Sequence, residues 1–396
     1  MARILVTDGD NRSALAATRS LGELGHTVFT ASEAHPSLAS VSKHSAGFDA
    51  YSSPYRSPEQ FVQDVAAIAA RRQVDVLLPM TEITTILLTR ARHLLPANVR
   101  IPFPEADVVA TAADKSKVLQ LASQIGVPIP KTLVVESPEE IERVLERVEY
   151  PAVFKPARSR AWTGERWISG GTGYSKSADD LRSRLKQLHP AIFPVLIQER
   201  IQGPGVGVFV CCGQDSQVLA TFAHRRLREK PPSGGVSVLC ESAPVDPVAK
   251  EHAIHLLRSI GWLGVAMVEF KQDSRDGSLK LMEINGRFWG SLQLAIDAGV
   301  NFPRLAAEIA LGQAAPVEKY RVGVRSRWFW GDVDAMVSLL LRSRAQLNLP
   351  DVHPGRWRTL LSFLKLWQPG TRYELERTSD PRPALLAARR WLFNRD

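Results

Sequence analysis

The chain has few of the residues that mark several common functions. It has three cysteines, Cys211, Cys212 and Cys240, none in Cys-x-x-Cys spacing. A disulfide framework and a thiolate zinc site are therefore not expected, and a reducing, cytoplasmic setting is. The nine histidines are scattered without ligand spacing. No apolar run reaches the roughly 18 residues that a membrane helix needs. The chain opens directly on the strand-like Arg3-Ile4-Leu5-Val6-Thr7, so no signal peptide is expected. No Gly-x-Gly-x-x-Gly follows a strand, which disfavours dinucleotide binding. No Gly-x-Ser-x-Gly elbow offers a serine nucleophile, and the cysteines have no basic partner to activate them. Internal repeats and low-complexity segments are missing too.

What remains is a long, moderately apolar, basic chain. At 396 residues and 44% hydrophobic, it can bury large cores and should hold two or three domains. The net charge of +9 is uneven: residues 317–396 hold 15 Lys+Arg against 8 Asp+Glu, and five of the nine tryptophans (Trp328, Trp330, Trp357, Trp367, Trp391). Basic and aromatic residues together suit nucleic acid or an anionic membrane face. No clear nucleic-acid motif accompanies them, so a packed helical extension with a solvated arginine face is expected, with peripheral membrane contact as the other reading.

Along the first ~110 residues, strands alternate with helices as in a parallel, doubly wound α/β domain. Residues 2–7, 27–31 and 74–79 read as strands. A helix capped by Ser13 spans 13–24, and Ser57-Pro58-Glu59-Gln60 reads as a capping box opening another. In such sheets ligands sit at the carboxyl ends of strands, which singles out Asp8-Gly9-Asp10-Asn11-Arg12 and Met80-Thr81-Glu82 as candidate substrate loops.

The chemistry concentrates further on. Val265–Phe270 and Leu281–Ile284 are apolar runs joined by Ser274-Arg275-Asp276-Gly277, which suits a hairpin turn. Paired antiparallel, they bring Glu269 beside Glu283. Alternation puts Asn285 on the same face as Glu283, and Arg287 too if the strand continues. Two carboxylates and an amide oxygen suit Mg²⁺, which takes its remaining ligands from water and phosphates. Acids among so many apolar neighbours are costly unless paired or metal-bound. Lys115 falls in the first turn of a helix, Lys155 ends the apolar strand 151–156, and Gln198 and Glu199 end another. Together these cations and acids describe a triphosphate site.

This ordered set resembles the ATP-grasp superfamily, specifically its carboxylate–amine ligases and the related carboxylases and carbamoyl-phosphate synthases. The matching pieces are Ala113-Asp114-Lys115-Ser116-Lys117 with Gly126–Pro130, Val153-Phe154-Lys155-Pro156, Ile197-Gln198-Glu199-Arg200-Ile201, Val268-Glu269-Phe270 and Met282-Glu283-Ile284-Asn285-Gly286-Arg287. The resemblance implies a Rossmann-like domain over 1–112, an ATP-grasp domain over 113–315 and a basic, Trp-rich helical extension over 316–396. The ATP-grasp domain would comprise a lysine-bearing part to about 198 and a metal-bearing part from 199. It also implies that ATP binds through Lys115, Lys155, Gln198, Glu199 and Ile201. Glu269, Glu283 and Asn285 would hold two Mg²⁺, with Mn²⁺ as a substitute, and Arg287 would stabilise the transferring phosphoryl group. The family's glycine-rich flap and acidic ribose contact have no counterpart where they should fall, at 157–164 and 205–207.

Arg225, Arg226 and Ser233 lie in a basic stretch read as leaving a strand for a mobile Ser-Gly-Gly loop, and are candidate substrate contacts. The implied activity is the ATP-dependent joining of a small-molecule carboxylate to an amine through an acyl phosphate. The alternatives are a carboxylase, kinase or thiol ligase, or a nucleotide-binding protein acting through its basic tail. The substrates' identities and the oligomeric state are open.

Overall fold

The computed structural model describes residues 1–396 except 233, 318, 345, 348, 350–354, 366–369 and 394–396. Ser233 and Trp367 thus lie outside the described residues.

The chain begins with β1 (Arg3–Val6), α1 (Arg12–Glu23), β2 (Thr27–Ser32), β3 (Gly47–Ala50), α2 (Pro58–Arg71), β4 (Val76–Leu78) and α3 (Glu82–Arg90). Its four strands form a parallel sheet in the order β3-β2-β1-β4. The near-continuous apolar runs of β1 and β4 fit strands buried on both faces. Two helix starts differ from expectation. Asn11 carries the extended backbone before α1, so Ser13 is already inside the helix and buried. Ser57 precedes α2 with Pro58 in the first turn, but its side chain makes no capping bond. Asp8, just past the end of β1, is partly buried and accepts hydrogen bonds from Thr7, Met80 and Thr84 at 2.7–3.1 Å. It is thereby a knot between the two strand-end loops.

Two helices follow, α4 (Ala106–Ala113) and α5 (Lys115–Gln124); Asp114 caps α5 by accepting from the backbone N–H groups of Ser116 and Lys117. Next come β5 (Thr132–Val135), α6 (Ile141–Leu145), β6 (Ala152–Pro156), a short hairpin of β7 (Ala161–Trp162) and β8 (Trp167–Ile168), then β9 (Gly173–Ser175), α7 (Ala178–Lys186) and β10 (Val195–Glu199). The order β5-β10-β6-β9 makes a second sheet, with its own core around Ile141, Phe154, Leu181 and Val195.

A third sheet has seven strands: β11 (Gly205–Cys212), β12 (Val218–Lys230), β13 (Val236–Ala243), β14 (Gly264–Gln272), β15 (Leu279–Asn285), β16 (Arg325–Arg327) and β17 (Thr371–Tyr373). Their order is β15-β14-β11-β12-β13-β16-β17. The expected exit into a loop after His224 is wrong: Arg225–Lys230 stay in β12, paired with β13. Their charges are met laterally, Arg225 by Glu241 on β13 and Arg228 by the buried Asp332. Helices α8 (Pro247–Ser259), α9 (Leu292–Ala298) and α10 (Phe302–Leu311) complete this part, followed by α11 (Phe329–Leu341), α12 (Arg356–Leu364) and α13 (Arg382–Phe393).

The basic tail packs back on the start of the chain. Arg19 of α1 is buried, donates to Asp380 at 2.8 Å, and reaches the carbonyls of Glu374, Leu375 and Asp380. Asp380 also accepts from Ser42 and from the Lys43 backbone. Arg12 pairs with Glu374 and lies 4.0 Å from the Trp328 ring. Trp391 stacks on Trp330 and donates to Asp334. Trp357 is exposed. Among the described residues no helix is long and apolar enough to cross a membrane.

Removing one member of a buried ion pair strands the other. Asp380→Ala should therefore cost about 3–5 kcal/mol of stability, read as a lowered midpoint in denaturant unfolding. An unchanged midpoint would show that the tail does not brace α1.

Candidate active site

The hairpin of β14 and β15 sets the geometry. Gly277 takes the positive φ of 73° that its turn requires, and the register places Glu269 directly opposite Glu283 and Met267 opposite Asn285. Asn285 donates its amide to Glu283 at 3.1 Å. Arg287 does join this row, though not by continued alternation. The strand stops at Asn285, the Arg287 N–H turns back onto the Asn285 carbonyl at 2.9 Å, and the guanidinium donates to Asn285 Oδ1 at 3.0 Å. The turn depends on Gly286, where a Cβ would stand 2.4 Å from the fully buried Trp262 ring.

Both lysines reach the hairpin from the second sheet's side. The backbone N–H of Lys115 donates to Ala157 at 2.7 Å, docking the start of α5 beside the end of β6. Lys115 Nζ lies 3.2 Å from Glu283 Oε2 and 3.2 Å from Ser159 Oγ. Lys155, 9% exposed, points its Nζ at the Met282 carbonyl, 3.4 Å away.

The electrostatics follow from burial and sign. Burial lowers the Lys155 pKa to about 8; Glu283 works against the fall and Lys115 adds to it. Burial would raise the Glu283 carboxyl, but Lys115, Lys155 and the Asn285 amide outweigh it and hold it below its usual range. Burial raises Glu269, Arg226 opposes this and Glu283 adds to it, leaving it above its usual range. Two adjacent acids that resist joint ionisation, beside an amide oxygen, form a hard-oxygen set that a divalent cation would relieve. Among the described residues no group of three His, Cys, Asp or Glu gathers. A metal here would take its remaining ligands from substrate oxygens and water.

Other candidates sit elsewhere or do other work. Arg226 does not face an open loop: it bonds Glu269 at 2.9 Å and Glu229 at 3.2 Å, while Lys115 pairs with the other acid, Glu283. Arg225 lies outside the cluster, on Glu241 at 2.6 Å. At the link between the sheets, buried Gln198 donates to Thr132. Glu199 accepts from the Lys131 backbone and from Arg275, which lower its pKa against the effect of burial. The Ile201 carbonyl accepts from Lys271 at 3.2 Å. The Gln198 and Glu199 side chains are thus engaged by protein. Sequence reasoning missed Lys271, though it lies on the same strand face as Glu269, and Ser159, which carried no signal.

With this geometry in view, the likeness to known proteins is specific. Residues 192–329 match the family described as ATP-grasp in the biosynthetic pathway with Ter operon. The carbamoyl phosphate synthase large chain of Methanoregula boonei is 24% identical over 219 residues, 52% of this chain and 20% of that one. The chain thus spans about a fifth of that relative's length. Among solved structures, biotin carboxylase from Campylobacter jejuni superposes with a TM-score of 0.63 at 17% identity, covering 82% of this chain and 74% of that one. The L-amino acid ligase from Bacillus licheniformis gives 0.61 at 16% identity, covering 80% and 75%. The chain carries an ATP-grasp fold. The family match covers residues 192–329, and the solved structures that the chain resembles share its fold.

Held against a phosphate, Lys155 must be charged. Its folded pKa lies below the unfolded value, so the folded chain loses this proton as pH rises through about 8, while the unfolded chain keeps it. Affinity for MgATP should therefore fall as pH rises through about 8. Lys155→Arg should remove that limb. A wild-type dissociation constant that stays flat across the range would contradict the phosphate contact.

Proposed function

We propose that the chain is an ATP-dependent ligase that joins a carboxylate to an amine through an acyl phosphate, releasing ADP and phosphate. The observation that carries this is the convergence of Lys115 from the start of α5 and Lys155 from β6 on Glu269, Glu283 and Asn285 of the β14–β15 hairpin and on Arg287 just beyond it. On this reading residues 1–112, 113–315 and 316–396 are the Rossmann-like, ATP-grasp and tail segments. The setting is cytoplasmic, with all three cysteines free and buried. The tail, whose Arg19 and Arg12 contacts clamp it to α1, acts as a brace rather than as a membrane anchor.

Lys115 and Lys155 hold the ATP phosphates, and the base lies against the main chain near Ile201, since the Glu199 carboxylate is engaged by Arg275. Glu269, Glu283 and Asn285 would hold magnesium, two ions or their Mn²⁺ substitutes, which when bound supply charge neutralisation on the phosphate oxygens. Arg287, fixed by Asn285 and the Phe288 carbonyl, offsets charge that develops as the substrate carboxylate attacks the γ-phosphorus. The acyl phosphate formed is then attacked by the amine and phosphate departs. Closure of the hairpin of β7 and β8 would keep water from that intermediate.

Glu283→Gln and Arg287→Ala should fold normally by circular dichroism yet lose about a hundredfold or more of carboxylate-dependent ADP release. Wild-type turnover in either discards the assignment. ADP and phosphate formed with an amine acceptor identify a ligase; a phosphorylated final product identifies a kinase.

A further inference from the structure

A cavity of about 330 Å³ opens between the first domain and the β7–β8 hairpin, next to the phosphate cluster but sharing none of the residues assigned to nucleotide. Its walls are one side of α3 from Glu82 to Arg90, the end of α4 with the first turn of α5, the segment 158–167, and Ala191. It therefore sits beyond the carboxyl end of β4, where parallel sheets place ligands. At 330 Å³ it lies at the lower end of the range for small-molecule pockets.

The chemistry of the walls is one-sided. Four cations line the cavity: Arg90, Lys117, Arg158 and Arg160. None forms an ion pair within 4.0 Å among the described residues; Arg160 lies over the Tyr55 ring at 4.6 Å, and Arg158 reaches only the Phe193 carbonyl at 3.4 Å. Two acids face them. Asp114 is committed to capping α5, which leaves Glu82. The remaining wall is aromatic: Trp162 and Trp167 lie 5.5 Å apart, and the Trp167 indole N–H is buried without an acceptor among the described residues. A buried donor without a partner is costly, so an acceptor brought by a ligand would satisfy it.

The cavity also joins the reaction centre through the backbone. Asp114 precedes Lys115, and Arg158 and Arg160 flank Ser159, whose hydroxyl lies 3.2 Å from Lys115 Nζ. A molecule seated here would reach the phosphate site past that hydrogen bond.

We propose that this cavity seats the substrate acid, and that the acid is aromatic and carries a second anionic group, which the arginines hold while the ring lies against the tryptophans. The proposal rests on the ligase reading for the role of the site, but binding can be measured without turnover. Phthalate, benzoate and neutral dimethyl phthalate are titrated calorimetrically into the full chain without nucleotide. Phthalate should bind saturably and about tenfold or more tighter than either comparison compound. Combining Arg90→Ala with Arg160→Ala should weaken phthalate by a similar factor and leave MgATP binding unchanged, which also reports that the variant is folded. Trp167→Phe, which keeps a ring but not the N–H, should weaken it less. Absence of saturable phthalate binding, equal binding of the diester, or an undiminished response in the double variant overturns the proposal. Loss of MgATP binding in the wild type would instead defeat the ligase reading and leave the cavity result standing.

Discussion

The arrangement of this protein turns on two carboxylates held side by side. Antiparallel pairing of β14 and β15 sets Glu269 against Glu283, and a pair like this is unfavourable in a largely apolar hairpin unless cations surround it. The surrounding structure supplies them from three directions: Arg226 from β12, Lys115 from the start of α5 and Lys155 from β6. Lys155 is held in place despite burial that lowers its affinity for a proton. Bringing it to the hairpin requires the second and third sheets to face one another across a cleft, so the acid pair and the two-sheet architecture presuppose each other.

The parts legible in the sequence were those encoded locally. The hairpin could be read because two apolar runs flank Asp276-Gly277, and α5 because a helical run that opens on Lys115 and Lys117 is stopped by Gly126. The opening βαβ pattern followed from uninterrupted apolar strands, although Ser13 falls inside α1 and Ser57, correctly placed before α2, makes no capping bond, because cap-forming residue types also occur within helices. What escaped was set by tertiary pairing. The second half of β12 is charged because its neighbours answer it laterally, and no periodicity in Arg225–Lys230 reports that. β16 and β17 span three residues each and owe their strand form to the sheet they extend. The Arg226–Glu269 pair spans 43 positions, so nothing in the local sequence announces it.

The positive charge of the chain has a similar explanation. Much of it is answered inside the fold: Arg327 and Arg228 meet at Asp332, Arg372 and Arg377 at Asp297, and Arg390 reaches Asp10. The tail thereby ties the last sheet strand, α1 and the loop after β1 into one assembly. Cations without such partners gather in the cavity beside the phosphate cluster, a juxtaposition of four separate segments that sequence spacing cannot reveal.

The most direct measurement is a calorimetric titration of the full chain with ATP, once with magnesium and once with a chelator. Convergence of Glu269, Glu283, Asn285 and the two lysines on one magnesium–triphosphate predicts saturable binding with magnesium and a large loss of affinity without it. Absence of binding, or equal affinity under both conditions, would contradict it.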